Sequence, residues 1–365
     1  MATSRSHPAM TDPVKPSAFP SVRIVSGAAF ELAAELAAFT SGPGRASLES
    51  GKSWIREVRA LAGRDLIRRV EGWGFALYAE LASFAIETAA PHDPDQLLDR
   101  IRSVPPDVIR RRLLGAESPP NRSMVSEGAF DRGLAGDPAA RVELRDALGT
   151  NRSARQSVDR LLTSSSAIVQ EEVAGIIAGW ATRVFPAFRD DALAVIGRDA
   201  VAKERLFDAQ PARDALRVAL NGVDVEPGPW VREFVVVPTV ALRPFVAPIE
   251  VGSTVLYLCP VGDEALDVDP DAPPRRLVKI AAALGDPLRL RILQALGDVE
   301  LTASEIADRL GVERTSLHHH LGILRSAGLL TIRDEGLVGW RYARRPDGVA
   351  DVISALSGYF GQPLR

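Results

Sequence analysis

Apolar residues recur every three or four positions through most of the chain, the spacing that turns one face of a helix inward. On this pattern residues 30–39, 54–61, 66–88, 153–182 and 190–207 are read as helices. Asp93-Pro94 and Asp137-Pro138 add start signals, an N-cap carboxylate followed by proline at the first helical position. They predict helices running to about Arg102 and Leu148, and another is expected over 106–114, closed by Gly115. Gly42-Pro43-Gly44 breaks the chain after the first helix, and 117–122 reads as a loop. Two valine-rich runs, 234–240 and 254–259, are the clear β signal and are expected to pair across the loop between them.

Between Leu301 and Arg345 the pattern becomes specific. Thr302 with Glu305 three residues on is a capping box that opens a helix with Ile306 and Leu310 on its apolar face. Gly311 closes that helix, since a residue without Cβ takes the left-handed conformation readily. A second helix places Leu317, Leu321 and Leu324 on one stripe and leaves Arg314, Thr315, Ser316, His318, His319 and Arg325 for its other faces. Short strands at 330–334 and 340–344 follow, joined by Glu335-Gly336-Leu337-Val338-Gly339 and surrounded by Arg333, Arg341, Arg344 and Arg345. Trp340 and Tyr342 supply apolar packing. Helix, turn, helix and basic hairpin together predict a winged helix-turn-helix, whose second helix enters a DNA major groove. Thr315, Ser316, His318 and His319 are expected at or near base edges, Arg314 and Arg325 nearer the backbone, and Arg333 and Arg341 against phosphates.

The run Ala283-Leu284-Gly285-Asp286-Pro287-Leu288-Arg289-Leu290-Arg291-Ile292-Leu293 resembles the opening signature of ArsR-type (arsenic-repressor-like) transcription regulators. Ser316-Leu317-His318-His319-His320-Leu321, with Leu324-Arg325 and Ala327-Gly328-Leu329, is similar to the recognition helix of that family and its exit into the wing. The resemblance covers about residues 275–360 and implies a homodimeric regulator, usually a repressor, that leaves its operator when a signal binds. It implies that the helices flanking the reading head build the dimer; here apolar stripes stand at 277–284 and at Val352, Ile353, Leu356 and Phe360. Metal-sensing members carry cysteines near the helix that starts at Thr302, and Leu301-Thr302-Ala303-Ser304-Glu305 has none. Val236-Val237-Pro238 and Leu242-Arg243-Pro244-Phe245 are similar to a poorly characterised helical domain found ahead of ArsR-like modules, which implies no known ligand.

Length and charge complete the picture. A chain of 365 residues is too long for one reading module. Residues 1–20, rich in proline, serine and threonine, read as a disordered leader. A mostly helical sensor or assembly body is expected over 21–262, an acidic hinge over 263–274 and the DNA-binding and dimerisation domain over 275–365. The expected fold class is therefore mainly α, with a small late β element in the body and an α+β winged helix-turn-helix at the C-terminus. Net charge is −3, but residues 275–345 hold about 12 basic and 8 acidic side chains, so a basic head sits on an acidic body.

Candidate chemistry changes little. The three consecutive histidines diverge by about 100° each on a helix and do not converge on one ion. No nucleophile–base set, phosphate loop or metal spacing is seen, so neither a cofactor nor a metal is expected, and the chain is read as a non-enzyme. The lone cysteine, Cys259, fits a reducing cytoplasm and a packing role. No segment has the length of a membrane span. Trp54, Trp73, Tyr78 and Trp180 are the candidate lining of a small-molecule site in the body. The reading is a cytoplasmic, homodimeric, sequence-specific regulator, a repressor as the resemblance implies, that binds a double-stranded operator under control of an effector. A protein-interaction module with a latent head, or an enzyme with an appended regulatory domain, are the alternatives.

Overall fold

The computed structural model describes residues 19–41, 48–267, 272–334, 340–346 and 348–361, without the side chains of Thr315, Asp334, Val349 and Asp351. The expected leader lies outside these residues up to 18. Phe19, near its end, packs on Phe234 with ring centroids 5.7 Å apart. Strand β1 (Ser21–Ile24) leads into α1 (Ala28–Thr40), which is buried along its whole length. Alanine, leucine and phenylalanine surround α1 on every face, so it forms an axis of the body instead of a half-exposed flank.

Helices α2 (Gly51–Glu71), α3 (Phe75–Ala85), α4 (Pro94–Ser103), α5 (Pro106–Leu113), α6 (Pro119–Ser123), α7 (Ala129–Ala135) and α8 (Pro138–Leu148) follow. Next come α9 (Arg152–Thr163), α10 (Ser166–Arg183), α11 (Arg189–Ala209) and α12 (Ala212–Ala219). The Asp-Pro starts behave as expected: Asp93 accepts the Asp95 N–H at 2.9 Å and Asp137 the Ala140 N–H at 2.7 Å. Three expectations are corrected. Residues 66–88 are two helices, because Gly72-Trp73-Gly74 lets α9 press close: a Cβ on Gly72 would lie 2.5 Å from Arg160 Nη1, and the Gly74 N–H donates to Ser157 at 2.8 Å. Residues 153–182 divide at Ser164-Ser165, where the Ser165 hydroxyl caps α10. The loop read at 117–122 contains α6, capped by Ser118.

After β2 (Val223–Asp224), strands β3 (Glu233–Thr239), β4 (Ala247–Val251) and β5 (Thr254–Pro260) form with β1 a sheet of order β1-β3-β5-β4. The two valine-rich runs do pair, but in parallel, Glu233 opposite Thr254 through Thr239 opposite Pro260. The connection holds β4, which runs back antiparallel along the outer side of β5. Side chains alternate across this sheet. Val235, Val237, Leu256 and Leu258 join the helical core, while Phe234, Val236, Tyr257 and Cys259 pack with Leu216 and Leu220 at the end of α12.

Beyond α13 (Asp263–Leu266) come α14 (Arg275–Leu284), α15 (Pro287–Leu296), β6 (Leu301–Thr302), α16 (Ala303–Leu310), α17 (Arg314–Ser326), β7 (Leu330–Asp334), β8 (Trp340–Arg344) and α18 (Gly348–Phe360). They enclose their own core of Ile292, Leu296, Ile306, Leu317, Leu321, Leu324 and Ile332. The architecture is mainly α with a small sheet in the body and a winged helix-turn-helix at the C-terminal end.

Body and head meet along two seams. Asp263 pairs with Arg243 and, at 2.6 Å, with Lys279, and Glu49 bridges the same two cations at 3.0 and 2.8 Å. The second seam is a strand. β2 of the body lies parallel beside β7, Val223 opposite Ile332, so the head's sheet has the order β2-β7-β8-β6. Part of the expected hinge, 268–271, lies outside the described residues. No helix among the described residues is long and apolar enough to cross a membrane.

Candidate nucleic-acid interface

Local signals position the reading helix. The Thr302 hydroxyl accepts the Glu305 N–H at 3.2 Å, and the Glu305 carboxylate accepts the Thr302 N–H at 2.7 Å, completing the capping box of α16. Gly311 then takes φ 66° and ψ 40°, the left-handed geometry that turns the chain towards α17. Asp286 caps α15 by accepting the Leu288 and Arg289 N–H groups at 2.9 and 3.1 Å. These backbone donors, with Arg289 beside them, hold its carboxyl below the usual range.

Leu317, Leu321 and Leu324 are at most 2% exposed and fix one face of α17 to the head's core. Arg314, Ser316, His318 and His319 are exposed on the other faces. Thr315 belongs to the same helix, but its side chain lies outside the described residues. His320 is half-buried, with Nδ1 3.9 Å from Asp286 Oδ1. The open surface of α17 is thus short, polar and mildly basic, the character required to hydrogen-bond base edges.

The wing is an antiparallel pair with Ile332 opposite Tyr342 and Arg333 opposite Arg341, braced by β6 on the far side of β8. Its tip, 335–339, lies outside the described residues. Ile332 and Tyr342 turn inward, and the arginines stand outward beside carboxylates. Arg333 meets Glu300 at 2.8 Å, Arg344 meets Asp298 at 3.2 Å, and Arg341 lies 3.6 Å from Glu305 and donates to the Glu300 carbonyl at 3.3 Å. Sequence reasoning missed these acidic neighbours, because the two-residue β6 that brings Glu300 alongside is too short to leave a pattern. Exposed pairs of this kind contribute only about 0–1 kcal/mol, so phosphates can displace the carboxylates at small cost.

Arg325 is a correction. It was expected nearer the DNA backbone, yet it is 2% exposed and turned inward, its guanidinium 5.6 Å from the centre of the Trp340 ring. Leu324 beside it packs into the core, and the wing folds over the end of α17.

The body's candidate aromatics are also placed otherwise than expected. Trp180 is fully buried and donates to Glu35 at 2.7 Å, and Trp54 reaches the same cluster through Phe39. Tyr78 donates to the Val70 carbonyl at 2.8 Å, and the Arg160 guanidinium stacks 4.2 Å above Trp73. A cavity of about 880 Å³ in the body is lined by Phe75, Leu77, Asn121, Asn151 and Ser157, and by none of the four. Trp73, Tyr78 and Trp180 are core residues, and the half-buried Trp54 packs against that core. Cys259 is likewise fully buried, and burial pushes its thiol up to about 12.

Comparison with known proteins addresses the same region. The helix-turn-helix domain family matches residues 284–333. The HTH-type transcriptional regulator CmtR of Mycobacterium tuberculosis is 40% identical over 60 residues, 16% of this chain and 51% of that protein. The uncharacterized HTH-type transcriptional regulator MJ1325 of Methanocaldococcus jannaschii is 35% identical over 68 residues, 18% of this chain and 76% of its own length. The transcriptional repressor SdpR of Bacillus subtilis is 35% identical over 54 residues, 15% of this chain and 60% of that protein. The chain spans about half the length of the CmtR relatives it matches, and all three matches cover only a minor part of this chain. With the capped α15, the α16–turn–α17 unit and the wing in place, the chain belongs to the ArsR-type helix-turn-helix transcriptional regulators.

Proposed function

We propose that the protein is a homodimeric, operator-binding repressor whose DNA affinity is set by a signal received through the helical body, without turnover chemistry, cysteine-based metal sensing or a cofactor. The observation that carries the DNA-reading part is α17 itself: leucines lock one face, while Arg314, Ser316, His318 and His319 stand open beside the wing arginines. In this reading Thr315, Ser316, His318 and His319 approach base edges, and Arg314, Arg333 and Arg341 take phosphates. Repression is the role named for the similar SdpR.

Dimerisation is supported by α18, where Ile353, Leu356 and Phe360 are 59%, 37% and 75% exposed although only Val352 of the expected stripe is buried. The partner stripe expected at 277–284 is corrected: Leu277, Ile280 and Ala283 are buried in their own chain, and Val278 alone of that segment's large apolar residues is strongly exposed. The absence of catalytic constellations in the sequence and the single buried thiol suit a cytoplasmic sensor.

Selection from a random duplex pool with the full chain, followed by anisotropy across salt concentrations, tests this. Enrichment of a two-fold symmetric site with a steep salt dependence is expected. Weak binding that is blind to sequence would overturn the proposal.

A further inference from the structure

Behind the β2–β7 seam lies a cavity of about 230 Å³, below the roughly 300–1,000 Å³ usual for drug-sized ligands and so suited to something near one ring in size. Body and head share its walls. Trp230, Phe234 and Tyr257 come from the body, Ile332 and Trp340 from the wing, and Arg325 from the last turn of α17. The lining is mostly apolar, and its charged members are Arg325, Glu226 and Glu250. Arg325 is 2% exposed, and its Nε, Nη1 and Nη2 have no hydrogen-bond partner among the described residues. The buried indole Nε1 of Trp230 has none either.

Such donors are ordinarily satisfied, and a buried cation without an anion is strongly unfavourable. Trp340 offers the guanidinium a ring face but no acceptor for its N–H groups. Burial pulls Arg325 down to about 10, opposed by the neighbouring Tyr342 phenol, so it stays charged at neutral pH. Two carboxylates also reach the cavity, and both are engaged elsewhere: Glu226 with Arg213, and Glu250 as acceptor of the Ser118 hydroxyl at 2.8 Å. Neither makes a hydrogen bond to Arg325.

We propose that this cavity binds a small aromatic carboxylic acid, its carboxylate received by the Arg325 guanidinium and the Trp230 indole N–H and its ring packed among Phe234, Tyr257 and Trp340. A planar fork of N–H donors suits a carboxylate, and the aromatic walls suit the ring. Because the occupant touches body, wing and reading helix together, it couples the body to DNA affinity, and operator binding must alter acid binding reciprocally. The regulatory consequence rests on the function proposed above; the binding site does not.

The test uses the full-length protein. Benzoate and phenylacetate are titrated against benzamide, phenylacetamide and sulfate, followed by calorimetry and by fluorescence of the wall tryptophans. Saturable binding of one acid per chain is expected, about tenfold or more weaker for the amides and for Arg325→Gln. Trp230→Phe, which keeps an aromatic wall and lies in a loop, should weaken the acids severalfold while leaving the amides unchanged, so the proposal does not depend on Arg325→Gln folding. Amides matching the acids, sulfate competing as strongly as benzoate, or no saturation by either acid at millimolar concentration would each overturn the site. Operator anisotropy with and without benzoate separates the two proposals. Acid binding without change in operator affinity supports the site and overturns control through the body; specific operator binding by a protein indifferent to both acids overturns the site and leaves DNA reading intact.

Discussion

Glu31 and Glu35 face the interior of the body from α1 with no ion pair among the described residues. Glu31 accepts the backbone N–H groups of Val240 and Ala241, each at 2.9 Å, and Glu35 accepts the Trp180 indole. Burial outweighs these bonds and pushes Glu31 up to about 7; Glu35 rises well above its usual value through burial and then through the neighbouring Glu31. A carboxyl whose pKa is higher folded than unfolded binds an extra proton in the native state. Stability from this pair is therefore greatest below the unfolded value near 4.5 and is lost as pH rises towards 7 and beyond. For Glu31 alone the loss amounts to roughly 3 kcal/mol at most. Glu35→Gln keeps an acceptor for Trp180 and removes the titration. Urea unfolding at about pH 5.5 and about pH 8 should show the variant gaining on the wild type at the higher pH only. Equal destabilisation at both would mean that the carboxylate is needed in its charged form.

The element that most affects how the parts communicate is β2, two residues of the body added to the edge of the wing. Gly222 precedes it with φ +82°, a conformation that other residues adopt only under strain, and a Cβ there would lie 2.9 Å from the Leu330 carbonyl oxygen. Gly222→Val should peel β2 from β7. The Ile332 N–H, which donates to the Gly222 carbonyl at 3.0 Å, should then lose hydrogen-exchange protection while Leu317 and Leu321 in α17 keep theirs. Unchanged protection at Ile332 would show that the seam does not depend on this strand. Nothing local announces β2, whose partner is more than a hundred residues away. The same is true of β1, which pairs with the distant β3, and nothing local announces that β3 and β5 run parallel. By contrast, the Thr302–Glu305 box, the Gly311 turn, the Asp286-Pro287 start and the Leu317–Leu321–Leu324 stripe were legible, because each is decided by residues three or four apart. Arg325 shows the limit of that reading. It follows Leu324 by one position, and whether such a residue faces solvent or is enclosed depends on Trp340 and on a body surface that helical periodicity does not describe. At the interface, Ser316→Ala should shift sequence preference, whereas Arg341→Ala should weaken all sequences alike and flatten the salt slope by about one unit. Anisotropy on matched and altered duplexes measures both; equal effects would remove the distinction between base and phosphate contacts.

At the scale of the molecule, a net charge of −3 with an excess of positive charge confined to the head means that, in the proposed function, DNA would be approached by one defined face. One head carries only one reading helix, with Ser316, His318 and His319 as its exposed polar centre, too few contacts for tight specific binding alone. The unpaired apolar residues of α18 offer the remedy. Joining two chains through Ile353, Leu356 and Phe360 would set the reading helices on half-sites about 34–36 Å apart, one turn of DNA, and make the second contact intramolecular. These side chains are exposed in the single chain, so replacing them does not excavate its core. Ile353→Ser combined with Phe360→Ser should therefore leave the thermal unfolding of the head nearly unchanged, convert the protein to monomer in sedimentation, and lower affinity for a symmetric operator by about a hundredfold or more. Affinity for an isolated half-site should change little. A variant that stays dimeric, or loses half-site and full-site binding alike, would place the subunit contact elsewhere and leave the exposed face of α18 to a different occupant.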